Sequence, residues 1–114
     1  MNLVAYDIVM DKNKIKTWID VKNKILYTKI IPFHNYYYLS EKYDDKYGVY
    51  DIYIIVTNTK YDDPEPRYMN SKSNGTLKIK IKDVWDKIKS YNISNVNLVL
   101  EEEQDDCFIY KLTF

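Results

Sequence analysis

Apolar and polar residues alternate with a period of two along most of the chain, the spacing of half-buried β-strands. Residues 3–10 put Val4, Tyr6, Ile8 and Met10 on one side, and after the polar turn Asp11-Lys12-Asn13, residues 15–21 put Ile15, Thr17, Ile19 and Val21 on one side. Asn23-Lys24 then turns the chain into a strand from Ile25 to Ile31, which Pro32 closes. Residues 49–58 give the strongest pattern, with Tyr50, Ile52, Ile54 and Val56 inward and Ile55 making the run nearly continuous, as in a central strand. Thr76 to Lys82 alternates again. The chain ends as a hairpin in which Val96, Leu98 and Leu100 lead to an acidic turn and Phe108, Tyr110, Leu112 and Phe114 return.

One stretch changes period. After Asp83, a residue suited to helix capping, Val84, Trp85, Ile88 and Tyr91 recur at helical spacing. Segment 60–75, with Pro64, Pro66, Asn70, Ser71, Ser73, Asn74 and Gly75, reads as a long loop. The expected fold is α+β: a single β-rich domain over residues 1–114, an antiparallel sheet of about six strands and one short helix near residues 83–91.

Composition strengthens the strand reading, since 28 β-branched residues stand against one Ala. The 16 Lys, 10 Asn, 14 Ile and 13 Tyr are all served by A/T-rich codons, which suggests an A/T-rich bacterium, or a phage or mobile element living in one. A single cysteine excludes an internal disulfide and a thiolate zinc cluster, so a reducing, cytoplasmic setting is expected. No apolar run is long enough for a membrane helix, so no membrane partner is expected. Seventeen basic and seventeen acidic residues cancel, so a polyanion could be held only by a local patch.

Candidate catalysis is sparse. His34 and Cys107 are the only possible Cys-His pair, and Cys107, at the start of a strand, is read as a small core residue. Two glycines, Gly48 and Gly75, are too few for a phosphate-cradling loop. Asp20-Val21-Lys22, with Asp7 and Asp11 upstream, is an acid-x-Lys arrangement able to hold a divalent metal and orient a water, and it resembles the core of the PD-(D/E)xK nucleases. The motif's proline is missing and the upstream acids lie close in sequence, which favours a solvated strand face. Asp62, Asp63 and Glu65 lack the glycine-turned pattern of a calcium loop. Neither a cofactor nor a metal is expected.

Surface chemistry is more informative. Nine of the 13 tyrosines fall between positions 36 and 68. An extended Tyr36-Tyr37-Tyr38 alternates its faces, so at least one ring is expected to meet solvent or a partner. Tyr and Arg are the residues of binding hot spots, and Arg67, the only arginine, adjoins Tyr68. Tyr36, Tyr37, Tyr38, Tyr43, Tyr47, Tyr61, Arg67 and Tyr68 are therefore the candidate protein-binding residues. The acidic hairpin tip, with Glu101, Glu102, Glu103, Asp105 and Asp106, is a secondary anchor for a basic partner surface, such as that of a nucleic-acid-binding enzyme or a toxin.

The expected function is that of a small non-enzymatic inhibitor or immunity-type protein that occludes its partner sterically; a homodimer is also compatible. The alternative is a module for single-stranded nucleic acid that uses Lys78, Lys80 and Lys82, with a metal-dependent nuclease as a third reading. The lysine row also suits a sheet edge guarded against pairing with other chains.

Overall fold

The computed structural model describes residues 12–29, 36–60 and 76–114. The strand expected over residues 3–10, most of the 60–75 loop, and His34, Asp7 and Asp11 lie outside the described residues.

Three hairpins and a single strand make up the sheet. β1 (Lys14–Asp20) pairs with β2 (Ile25–Lys29), β3 (Tyr36–Asp44) with β4 (Val49–Thr57), and β6 (Asn97–Gln104) with β7 (Cys107–Thr113), while β5 (Thr76–Lys80) adds to β2. All pairings are antiparallel. The order β3-β4-β7-β6-β1-β2-β5 gives one seven-stranded sheet curled into a half-barrel. A 3-10 turn at Lys82–Val84 and one helical turn, α1 (Trp85–Ile88), lie between β5 and β6.

Two hairpin loops share a construction. Register pairs Asp20 with Ile25 and Asp44 with Val49, leaving four-residue loops that end on a left-handed residue, Lys24 at φ 54° and Gly48 at φ 63°. Asp20 accepts hydrogen bonds from the Asn23 backbone N–H at 3.1 Å and from its side-chain amide at 2.8 Å, and Asp44 accepts from the Lys46 N–H at 3.0 Å. These are the local side-chain bonds through which aspartate stabilises turns.

The alternating faces predict the core. Ile15, Leu26, Ile52, Ile54, Val56, Leu77, Ile79, Leu98, Tyr110 and Leu112 bury their side chains in one core. Ile81, Val84 and Ile88 cap it, each with no exposed surface. The segment around α1 reaches between distant strands: the Ile81 N–H donates to Lys24 O at 3.0 Å and the Lys24 ammonium sits 5.9 Å from the Trp85 ring, while Lys87 reaches Glu41 on β3 and Tyr50 on β4. Packing over the sheet, rather than helix propensity, fixes this segment.

Several sequence expectations are corrected. Among the described residues the sheet has seven strands rather than about six, because the run from Tyr36 to Asp44 forms β3 despite Ser40, Glu41 and Lys42. Nine register pairs with the strongly apolar β4 override its local polarity. β4 is paired on both sides, with β3 and β7, and lies one place in from the end of the described sheet. The helix is one turn, with no side-chain cap at Ile81 or Val84, so Asp83 does not serve as its N-cap. Val21 lies in the β1–β2 turn and is exposed, and β5 ends at Lys80, which leaves Lys82 in the 3-10 turn.

Candidate protein-binding site

The tyrosine segment divides by strand face. Tyr37 faces the core opposite Val56 and is 3% exposed. Tyr38 points to the other face opposite Ile55, yet is only 6% exposed; its hydroxyl donates to Thr59 O at 3.3 Å and its ring stacks 6.4 Å from that of Tyr36. Tyr37 and Tyr38 are therefore corrected from candidate contacts to buried structural residues, and Tyr36 is half-buried. Of the three rings only Tyr36 keeps part of its surface in solvent, because Tyr37 and Tyr38 are covered on opposite faces of β3. Tyr61, Arg67 and Tyr68 lie outside the described residues.

Farther along the hairpin, tyrosines open to solvent. Tyr43 is 57% exposed and Tyr47, in the β3–β4 turn, is 68% exposed beneath the Lys46 ammonium at 5.2 Å. Tyr43 pairs across the strands with Tyr50, their rings 6.4 Å apart and tilted. Tyr50 is tied down from several sides: its hydroxyl donates to the Glu41 carboxylate, Lys87 donates to that hydroxyl at 2.8 Å and to Glu41 at 3.2 Å, and the Lys87 ammonium lies 4.3 Å from the ring centroid. Burial and the acceptor Glu41 raise the Tyr50 phenol above its ordinary value, and its two hydrogen bonds to Tyr50 and Glu41 raise Lys87. Both groups keep their protons at neutral pH.

Beside Tyr50 the sheet splits. The β4–β7 ladder runs from Thr57↔Cys107 to Tyr53↔Lys111 and stops there. A cleft of about 190 Å³ opens between Tyr50–Ile52 and Leu112–Phe114, walled by Tyr91. Tyr91 stacks on Phe114 at 4.6 Å and donates its hydroxyl to Tyr50 O at 3.3 Å. Lys111 and Asp51 form an ion pair at 3.5 Å on its rim. Small-molecule sites usually enclose about 300–1,000 Å³, so this volume suits one inserted side chain better than a whole metabolite.

The acidic hairpin is elsewhere. Glu101, Glu102 and Glu103 belong to β6, and only Asp105 and Asp106 form the turn. The turn lies at the far end of β7 from the cleft, about 20 Å away at ~3.3 Å per residue. Part of its charge is used internally: Glu103 pairs with Lys12 at 3.1 Å, Glu102 accepts from Gln104 at 2.9 Å and Asp106 from the Thr59 hydroxyl at 2.8 Å. The acidic hairpin and the exposed tyrosines are thus separate features.

The readings of other chemistry also meet the structure. Asp20 closes β1 and Lys22 lies in the following turn, so the triplet is not on one strand as expected. Hydrogen bonds from Asn23 hold the Asp20 carboxyl below its ordinary value. No cluster of potential metal ligands occurs among the described residues. Cys107 is buried at the start of β7, and burial, with Asp106 and Glu102 nearby, raises its thiol.

Sequence reasoning missed Tyr91 and Phe114 as surface residues because their positions fit helix and strand periodicity, and it took Tyr50 as simple core. The signal available was that each lies past the end of an element, Tyr91 after α1 and Phe114 after β7, where periodicity no longer dictates burial. Among the described residues no helix is long and apolar enough to cross a membrane. No protein-family model, curated protein or solved structure matches the chain significantly.

Proposed function

We propose that the chain is a protein-binding module whose contact surface is the aromatic cleft at the β4–β7 split, and that it acts by covering a working surface of its partner. The observation that carries this reading is the grouping of exposed Tyr91 with Tyr50 and Phe114 around an opening of side-chain size, with exposed Tyr43 packed beside the Tyr50 ring. Binding energy concentrates where rigid aromatic rings frame a pocket that excludes water. Here the rings are already held by stacking and hydrogen bonds, which lowers the ordering cost on association.

Tyr47 extends this surface along the β3–β4 turn. The Glu41–Lys87 and Asp51–Lys111 pairs set polar register at the rim. Acidic Glu101, Glu102, Glu103, Asp105 and Asp106 steer approach toward a basic partner rather than contact it alongside the cleft. Within the A/T-biased coding of a phage or mobile element, an inhibitor or immunity-type protein is the concrete form of such a module.

The test is capture of a partner by tagged protein from the cells that make it, followed by reconstitution with the purified partner. Tyr43→Ala/Tyr91→Ala is expected to weaken reconstituted binding by at least a hundredfold, about 3 kcal/mol, with the fold intact by circular dichroism. Unchanged affinity in that double variant would remove the cleft from the interface.

A further inference from the structure

The side of the sheet away from the core carries a second surface, at the opposite end from the cleft. Trp18 on β1 pairs in register with Tyr27 on β2, which pairs with Lys78 on β5. The Trp18 and Tyr27 rings stack at 5.6 Å with an interplanar angle of 7°, and the Lys78 ammonium lies 6.0 Å from the Tyr27 centroid. Trp18 is 46% exposed, unusual for the largest apolar side chain in a chain this size. The row is an aromatic stack, a platform with exposed Trp18 at one end and the Lys78 cation at the other.

Charge around the platform is one-sided. The three strands carry five lysines, Lys14, Lys16, Lys29, Lys78 and Lys80, against one carboxylate, Asp20, which already accepts two hydrogen bonds from Asn23. None of the five enters an ion pair among the described residues. Lys14 and Lys16 on β1, and Lys78 and Lys80 on β5, are each spaced two residues apart, about 7 Å, near the phosphate repeat of an extended single strand. The chain's zero net charge therefore conceals a cationic flank balanced by acidic residues on β6 and its turn.

From this arrangement we infer that the outer face of β1, β2 and β5 binds single-stranded nucleic acid, with a base continuing the ring stack on exposed Trp18 and phosphates on the flanking lysines. Each base offers a π-face, so stacking is tolerant of sequence, while the lysines hold the backbone by charge. Lys82, which the sequence pattern groups with Lys78 and Lys80, is displaced into the 3-10 turn and leaves the row. The tyrosines of β3 and β4 lie on the far side of the sheet order, so the platform is Trp18 and Tyr27 instead. This surface is independent of the cleft.

The experiment titrates the full chain into labelled oligothymidylate, oligouridylate and a matching duplex, by anisotropy over a range of salt. Single strands are expected to bind more tightly than the duplex, with log affinity falling against log salt at a slope of about −2, as three neutralised phosphates at about −0.7 each require. Trp18→Ala is expected to weaken binding about tenfold. Lys78→Gln/Lys80→Gln is expected to flatten the slope. In a Trp85→Phe background, saturation with oligonucleotide is expected to quench the remaining Trp18 emission, a readout that leaves the platform intact. Preference between the two oligonucleotides tells DNA from RNA. Absence of binding at low salt overturns the inference, as does equal duplex affinity, or binding that neither quenches Trp18 nor responds to Trp18→Ala.

Discussion

The Lys87 ammonium donates to the Tyr50 hydroxyl at 2.8 Å while lying 4.3 Å from the centre of the same ring, joining the helical segment to β4 at the mouth of the half-barrel. Glu41 accepts from both partners, so three groups from α1, β3 and β4 form one network. Such a network ties the wall of the cleft to the helical segment.

Removing the phenol oxygen should disturb that wall. Tyr50→Phe deprives Glu41 and Lys87 of their shared partner and is expected to cost about 1 kcal/mol in urea unfolding. Lys87→Met is expected to cost less than about 1 kcal/mol, because Lys87 is half-exposed and water replaces its bonds. Equal losses from the two variants would mean that the cation, not the phenol, organises the site.

Tyr110 gives a prediction on pH. It is fully buried on β7, no hydrogen-bond partner reaches its hydroxyl among the described residues, and burial, with Glu103 secondary, pushes its phenol up to about 12. The folded state favours the protonated phenol more than the unfolded chain does, so stability is unaffected by its titration below pH 10 and falls as pH rises between 10 and about 12. Tyr50 and Tyr53, also raised chiefly by burial, act in the same direction. Tyr110→Phe is expected to unfold at a higher alkaline pH and to gain about 1 kcal/mol at neutral pH, since it deletes an unsatisfied buried hydroxyl. A urea titration at several pH values checks both, and a loss at neutral pH would show that the hydroxyl is satisfied.

The two hairpin loops make a matched pair. Gly48→Ala places a Cβ in a left-handed conformation where space is open, so its expected loss of about 1 kcal/mol comes from backbone strain alone. Lys24→Gly relieves the same conformation in the other loop and is expected to be neutral or stabilising by up to about 1 kcal/mol, the gain limited by glycine's greater unfolded-state freedom. Thermal melts of the two variants should move in opposite directions or differ by several degrees.

The strand faces were legible because period two survives wherever one side meets the core: Ile15, Leu26, Ile54, Ile79, Leu98 and Leu112 are all where alternation puts them. β3 was not legible, because its second half is polar and only pairing with β4 makes it a strand. The proposed surface was half legible. Tyr43 and Tyr47 stand in solvent as expected, but Tyr37 and Tyr38 are buried, and the pairings of Tyr91 with Phe114 and of Trp18 with Tyr27 arise only through which elements become neighbours. Composition locates aromatic rings along the chain, and sheet order decides which of them meet.

The cleft is tested most directly by placing a photo-crosslinking phenylalanine at position 43 or 91 and irradiating the reconstituted complex. Efficient crosslinks to one partner from both positions, competed by untagged wild-type protein, are the predicted result. Crosslinks that form from position 105 in the acidic turn but from neither 43 nor 91 would contradict the account.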